Sequence, residues 1–456
     1  MNESAVCPVG VEMPVDICVI GAGAGGLSVA AGASQMGAKV ALIEKGEMGG
    51  DCLNAGCVPS KALLAAARRR EAAPYDYVRR IIGDLAPNDS QERFQGLGVA
   101  VIRGAAAFVC GGRVEAGGHI VRARRFVVAT GSRAAIPPIP GLEAVPYLTN
   151  ETLFRLEAVP EHLIVIGGGP VGAEMAQAHR RLGARVTVLE MVRLLPRDDE
   201  ELVEVLRLAM RRDGIDLREG VGIAAVEPGP VVLLTDGSRI AGSHLLVAAG
   251  RKPNVEGMNL DLAGVRHGPQ GIHVDRRMRT TNPEIYAIGD VTGGPAFTHA
   301  AAHQAGVVLK NILFKLPVRA NLRAMPRCTY TDPELAWVGL SEEEAKAKGP
   351  IRVLRWPFSE NDRARTDGEC DGLVKIVATP KGKILGAGIV GPLAGELIQP
   401  WVLAVAQRLK VGAMAETIAP YPTRGEASKR AAASFFAPML FGERTRKLVR
   451  FLMRIS

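Results

Sequence analysis

One pattern occurs twice in this chain and limits what it can fold into. Residues 15–20, Val-Asp-Ile-Cys-Val-Ile, read as a buried strand running into Gly21-Ala22-Gly23-Ala24-Gly25-Gly26. A small-residue helix follows, then a second strand at 38–43 that ends at Glu44, 23 residues beyond Gly21. A lone G-x-G-x-x-G run is weak, but between strand and helix, with an acid at that spacing, it is the full dinucleotide fingerprint. Gly21, Gly23 and Gly26 let a pyrophosphate approach the helix N-terminus, and Glu44 is placed to accept from a ribose hydroxyl.

The pattern returns at 163–166, Leu-Ile-Val-Ile, with Gly167-Gly168-Gly169-Pro170-Val171-Gly172, a helix, a strand at 184–189 and then Glu190. Gly167, Gly169 and Gly172 repeat the roles of the first set, and Glu190 again lies 23 residues from the first glycine. Two such units predict two dinucleotides, most simply a flavin and a nicotinamide. Glu190 would bond a ribose 2′-hydroxyl and repel a 2′-phosphate, favouring NAD(H) over NADP(H). Arg193 and Arg197 just beyond could accommodate a phosphate.

Between the repeats lies Gly49-Gly50-Asp51-Cys52-Leu53-Asn54-Ala55-Gly56-Cys57-Val58-Pro59-Ser60-Lys61, followed by an alanine and leucine run of strong helix formers. Pro59 suits the first turn of that helix, so both thiols are expected at or just before a helix N-terminus, where the dipole favours thiolate. Two buried core cysteines or a structural disulfide are the bland alternatives. Glycines on both sides and Lys61 four residues after Cys57 argue for a redox-active pair instead.

Read as Gly-Gly-x-Cys-x4-Cys-Val-Pro-Ser-Lys, the stretch resembles the active-site signature of the flavin-dependent pyridine nucleotide–disulfide oxidoreductases, which include dihydrolipoamide dehydrogenases, glutathione reductases and mercuric reductases. The resemblance covers roughly residues 15–435. It implies an α/β fold of two Rossmann-like dinucleotide-binding domains, for FAD and NAD(P), plus a C-terminal α+β dimerisation domain. The expected boundaries are 1–150 and 276–320 for the FAD domain, 151–275 for the NAD(P) domain, 321–435 for the dimerisation domain and 436–456 for a basic tail.

Further segments carry the resemblance. Val128-Ala129-Thr130-Gly131 looks like the return strand of the flavin domain, and Ala249-Gly250-Arg251-Lys252-Pro253-Asn254 like the segment closing the nicotinamide domain. Thr280 to Asp290 resembles the second flavin motif, whose aspartate holds the ribityl chain. Thr298-His299-Ala300-Ala301 opens a helix whose positive end could face the reduced flavin; His299 itself reads as structural. Gly50, Thr130, Gly131, Gly250, Asp290 and His299 thus join the cofactor-binding set. Lys61 and Glu174 match a pair that usually lies beside the flavin N5, and a buried lysine needs such a partner.

By the resemblance, NAD(P)H reduces the flavin, which passes electrons to the Cys52–Cys57 disulfide. Cys57 is then the flavin-proximal thiolate and Cys52 the interchange thiol that attacks a small or protein-borne disulfide, with dihydrolipoamide-like substrates among the options.

One departure bears on the substrate. The family's disulfide reductases carry His-Pro-Thr-x-x-Glu, a proton-handling motif reaching the partner's site, where this chain reads Tyr421-Pro422-Thr423-Arg424-Gly425-Glu426. A phenol with pKa about 10 shuttles protons poorly at neutral pH compared with an imidazole near 6.5. Mercuric reductases share the tyrosine but add a C-terminal cysteine pair, and this sequence has no cysteine after Cys370. Mercury reduction is therefore disfavoured, and a non-disulfide acceptor (a metal ion such as Hg(II), a quinone or an oxidant) stands as the alternative.

Composition fits an enzyme of about three domains. The net charge of +9 could suggest nucleic acid, yet aromatics are only 4% of residues and no basic run interleaves them, so no nucleic-acid partner is expected. No apolar run reaches the length of a membrane span and no signal-peptide order appears, which places the chain in the cytoplasm. Cysteines 7, 18, 110, 328 and 370 are scattered and most simply buried or incidental, Cys370 as a candidate exposed thiol. No resident metal site is assigned. In the tail, Phe441, Leu448, Leu452 and Ile455 share one helical face and Arg446, Arg450 and Arg454 another. Such a helix either packs on the homodimer surface or rests on an anionic membrane or a partner.

Overall fold

A computed structural model describes residues 11–455. The described residues divide into two compact units: residues 11–167 with Arg181–Leu189 and Val221–Asn321, and Gly168–Arg180 with Glu190–Gly220 and residues 322–455.

In the first unit the elements run β1 (Val11–Ile20), α1 (Ala24–Gln35), β2 (Val40–Glu44), α2 (Gly50–Asn54), α3 (Cys57–Arg69), α4 (Pro74–Leu85), α5 (Gln91–Gly96), β3 (Val99–Arg103), β4 (Ala107–Val109), β5 (Arg113–Ala116), β6 (His119–Val128) and β7 (Ser132–Ala134). Strands β3, β2, β1 and β6 lie parallel, with β5 and β4 continuing antiparallel at one edge. The strand Ile285–Ala287 returns from far along the chain to pair parallel with Phe126–Val128 of β6. The strands of this sheet therefore come from both sides of the second glycine-rich repeat.

Both faces of β1 are covered, which explains its unbroken apolar end. Successive side chains point to opposite faces. Ile17 and Val19 pack with α1 and with Val308 and Ile312 of the helix Thr298–Leu313, whereas Cys18 and Ile20 pack with Phe126, Val128, Met258 and Leu260. Burial pushes the Cys18 thiol pKa far up, so this cysteine is inert core.

The second repeat opens with the fully buried strand His162–Ile166, which lies parallel between His244–Val247 and residues 185–189. A three-stranded antiparallel sheet of residues 223–241 packs against it through Val226, Val232 and Leu234.

The C-terminal part of the second unit is a five-stranded antiparallel sheet in the order Arg327–Thr329, Glu334–Gly339, Ile384–Gly391, Leu373–Ala378, Arg352–Pro357. Trp401 and Ala431, from the helices Gln399–Ala406 and Glu426–Ala433, pack on it. Lys375 projects from this sheet with only 4% of its side chain exposed. It is retained because Asp199 takes it at 2.8 Å, Glu342 at 2.8 Å and Glu201 at 3.0 Å.

Candidate active site

The first glycine-rich turn is built to bring backbone close to a ligand. Gly21 has φ +105° and a Cβ there would meet the Ala129 carbonyl oxygen at 2.4 Å, so only glycine fits. A Cβ on Gly26 would lie 1.9 Å from the Gly21 oxygen, and one on Gly50 would lie 2.7 Å from the Gly23 Cα. Gly23 is the exception: nothing lies within 4 Å of its Cβ position, leaving the turn open on the side a pyrophosphate needs. Glu44 closes the other side, its two carboxylate oxygens accepting from the amides of Ala22 and Gly46, each at 2.6 Å. This cradle fits the diphosphate and ribose of FAD.

The rest of the first-unit cofactor set converges on the same edge. Thr130 spends its hydroxyl on the Asn254 carbonyl at 2.8 Å, and Gly131 adopts φ +67°. Asp290 accepts from the Ser132 hydroxyl at 2.6 Å, and Gly250 has φ +138°, with the Ala135 Cβ 3.8 Å from where its own Cβ would stand. Residues 251–253, expected to close the nicotinamide domain, pair antiparallel with β7 of the first unit. Arg251 donates to Asp51 Oδ2 at 2.6 Å and to Ser132 Oγ at 2.7 Å.

The two cysteines do not share one helix terminus. Cys52 lies inside the five-residue helix α2, whereas Cys57 is the first residue of α3, and the chain breaks at Ala55-Gly56 between them. The break still brings both sulfurs to the hydroxyl of Thr298, at 3.2 Å for Cys52 and 3.5 Å for Cys57. The hydrogen bond to Cys57, and then burial, push the Cys52 thiol pKa well above its ordinary value, while the Thr298 hydroxyl pulls it back. Cys57 is exposed and Cys52 half-buried. Lys61, one turn into α3, donates to Ser60 Oγ at 3.3 Å. His299 is exposed and stacks on Phe297.

Elsewhere Cys328 and Cys370 are half-buried, so Cys370 is not fully exposed. Cys110 is disulfide-bonded, which the sequence reading did not foresee. Cys7 lies outside the described residues.

The second glycine-rich turn repeats the first almost group for group. Gly167 has φ +110° and a Cβ there would lie 2.5 Å from the Ala248 oxygen, while Gly169 has nothing within 4 Å. Glu190 takes the Gly168 amide at 2.6 Å and the Val192 amide at 2.9 Å. Gly172 is buried in the first turn of the helix Pro170–Arg181. Two residues further along this helix, Glu174 is 4% exposed and accepts from the Tyr330 amide at 3.0 Å.

Tyr421 stands on the surface of the second unit, donating to Asp362 Oδ2 at 2.9 Å. The hydrogen bond to Asp362 raises its phenol pKa further above the ordinary value. Glu426 is half-buried, pairs with Arg430 at 3.2 Å, and lines a surface cavity of about 240 Å³ with Trp356, Glu360 and Asp362.

Two open glycine turns, each closed by a glutamate, and a dithiol beside the first define a two-dinucleotide sulfur redox protein. Family comparison agrees: the pyridine nucleotide-disulphide oxidoreductase model matches residues 15–305 and its dimerisation domain matches 325–432. The chain belongs to the pyridine nucleotide–disulfide oxidoreductases and is an FAD-dependent enzyme of that class, and the dimerisation domain supports a homodimer.

Among relatives, it is 38% identical to a mercuric reductase of Bacillus cereus, over 92% of this chain and 71% of that one. It is 37% identical to a dihydrolipoyl dehydrogenase of Thermus scotoductus, over 91% and 96%. Among solved structures, the HOCl-induced flavoprotein disulfide reductase RclA of Escherichia coli superposes with a TM-score of 0.86 at 26% identity, covering 92% of this chain and 99% of that one. Among the described residues no helix is long and apolar enough to cross a membrane.

Sequence reasoning missed the groups that hold the redox segment. Thr298 was noted only as the start of a helix, Asp51 and Arg251 only as members of motifs, and Asn150 not at all. Asp51 and Arg251 stand 200 residues apart, so no local pattern could pair them.

Proposed function

We propose that this chain is an NAD(H)-linked dithiol–disulfide oxidoreductase in which Cys52 and Cys57 exchange with a small or protein-borne disulfide. The observation that carries it is the meeting of both sulfurs at the Thr298 hydroxyl, beside the glycine turn that fits FAD. Residues 1–150 and 276–320 hold the flavin, with Gly21, Gly23, Gly26, Glu44 and Gly50 around its diphosphate and ribose and Asp290 toward its ribityl chain. Residues 151–275 hold the nicotinamide through Gly167, Gly169, Gly172 and Glu190, and residues 321–435 dimerise. FAD bound there supplies two-electron transfer between the nicotinamide and the sulfur pair.

The chain's own residues then do the sulfur chemistry. Cys52 gives up its proton and attacks one sulfur of the substrate disulfide; an S–S bond breaks, a mixed disulfide forms, and the departing sulfur takes up a proton and leaves as a thiol. Cys57 attacks Cys52 Sγ, the second thiol leaves and the Cys52–Cys57 bond is restored. Thr298 donates to the Cys52 sulfur as its charge changes. Lys61 and Glu174 stand at the positions of the family's hydride-steering couple, and Tyr421 and Glu426 complete the partner's site. Glu190 favours NAD(H), since its carboxylate would repel a 2′-phosphate.

Reduction of a soft metal ion such as Hg(II) is the second reading, favoured by Tyr421 in the histidine position and by the mercuric reductases among the relatives. The tail adds location. A helix at Glu443–Leu452 with a basic polar face suits contact with an anionic membrane surface by a cytoplasmic protein.

Anaerobic titration with NADH tests the main reading. A long-wavelength absorption band at two electrons per subunit, lost in Cys57→Ser, is expected; bleaching without that band would shift the search to quinones and metals. Turnover of disulfides that survives Cys52→Ser would sink the proposed attack.

A further inference from the structure

Two cysteines five positions apart on one continuous helix would be separated by about 7.5 Å of rise and about 140° of rotation, too far to bond. The chain therefore has to break between them, and something has to hold the break. The break is tight: a Cβ on Gly56 would lie 2.9 Å from the Asp51 carbonyl oxygen. It also ends α2 at the Ala55 carbonyl, which lies beyond the last turn of that helix.

We propose that Asn150, Asp51 and Arg251 form a bracket that fixes this break at the spacing sulfur exchange requires, making them positioning residues for the Cys52–Cys57 pair. The proposal rests on the reading that the pair cycles between dithiol and disulfide. Asn150 is 8% exposed and donates from Nδ2 both to the Ala55 carbonyl and to Asp51 Oδ1, each at 3.1 Å. One amide thus grips the residue before Cys52 and the residue two before Cys57. The adjacent Thr149 caps the short helix Asn150–Leu153 and so sets the direction from which Asn150 reaches.

Asp51 is gripped from its other oxygen by Arg251 at 2.6 Å. Burial lifts the Asp51 carboxyl above its ordinary range, and the Arg251 guanidinium beside it opposes that rise. Arg251 is itself fixed by Ser132, at 2.7 Å to the hydroxyl and 3.0 Å to the carbonyl, and Ser132 donates on to Asp290 at 2.6 Å. The bracket therefore ends on the aspartate assigned to the flavin, which ties the sulfur spacing to the cofactor edge.

The consequence is an equilibrium one. Oxidation of the pair by a disulfide forms the Cys52–Cys57 bond, breaks the oxidant's S–S bond and leaves two thiols, two electrons and two protons having moved. How far it proceeds depends on the effective concentration of one sulfur at the other, which pre-organisation raises. Loosening the break lowers that concentration, disfavours the internal disulfide and makes the pair more oxidising.

The test equilibrates holoenzyme in mixtures of reduced and oxidised dithiothreitol, traps thiols by alkylation and quantifies the Cys52–Cys57 disulfide by mass. Asn150→Ala and Arg251→Met are each expected to lower the equilibrium constant about tenfold, a shift of about 30 mV toward more positive potential. The double variant is expected to add little to the larger single effect, because both act on one loop. The near-isosteric Asp51→Asn keeps an acceptor for Asn150 but loses the charge that Arg251 holds, so it should fall between wild type and Arg251→Met. It also serves if either larger change prevents folding. Variants that equilibrate within twofold of wild type overturn the bracket. A wild type that forms no internal disulfide in any mixture overturns instead the reading on which the proposal rests.

Discussion

Gly169→Ala separates what the second glycine turn does for the fold from what it does for the cofactor. Nothing lies within 4 Å of a Cβ at this position and its φ is outside the left-handed region, so alanine should be accommodated. Replacing glycine where the backbone suits alanine stabilises by about 0.4–1 kcal/mol, through the unfolded chain. The same methyl group occupies the opening through which a pyrophosphate would reach the amides at the start of Pro170–Arg181. Losing one hydrogen bond to a charged group costs about 1.5–3 kcal/mol, or roughly 10- to 100-fold in NADH affinity. The neighbouring Gly167→Ala should behave oppositely, because its φ is +110° and its Cβ would stand 2.5 Å from the Ala248 oxygen; it should lower thermal stability. The assay is a thermal melt beside the saturation curve of anaerobic flavin reduction by NADH. Gly169→Ala with an unchanged melt and NADH affinity within twofold of wild type would refute the placement of the nicotinamide dinucleotide on this turn.

Two further outcomes follow from the second unit. Lys375→Met should destabilise by about 3–5 kcal/mol at neutral pH, since it strands the carboxylates of Asp199, Glu201 and Glu342 around an apolar stem. Hydrogen bonds from Lys346 and then Lys375 hold the Glu342 carboxyl down at about 2, so its contribution is complete above its ordinary value near 4.5 and is lost as pH falls toward 2. In chemical denaturation the gap between wild type and Lys375→Met should therefore narrow over that interval, and a constant gap would contradict the assignment. In the tail, Leu448, Phe451, Leu452 and Ile455 are each more than half exposed on the face opposite Arg446, Arg450 and Arg454. The intact enzyme should co-sediment with anionic but not zwitterionic vesicles, less so at high salt, and Phe451→Glu should abolish it; no sedimentation, with a dimer weakened by the same change, would assign the helix to the subunit interface instead.

The parts of the site that were legible in the sequence are those where chemistry dictates residue type. At Gly21 and Gly167 any Cβ would strike a carbonyl oxygen, and at the strand ends Glu44 and Glu190 an acid must face the turn, so identity and spacing are written into the chain. The cysteine pair was legible from its spacing and its glycine flanks. Its local geometry was not. A run of good helix formers after Pro59 suggested one helix terminus for both thiols, whereas the fold spends Ala55-Gly56 on a break and places Cys52 on a helix of its own. What sustains that break is donated by Asn150 and Arg251, about 100 and 200 residues beyond Asp51, and neither type of residue is unusual where it stands. Only the folded sheet brings them together: β7 aligns Ser132 with the strand that carries Arg251, and the return of Ile285–Ala287 to β6 sets Asp290 beside Ser132. Positioning residues are thus hidden wherever topology rather than chemistry selects them, and the same argument applies to Tyr421. It donates to Asp362 within its own unit, but the work expected of it lies at a site on a second copy of the chain. Its identity therefore constrains the acceptor only in combination with whatever the partner places opposite it.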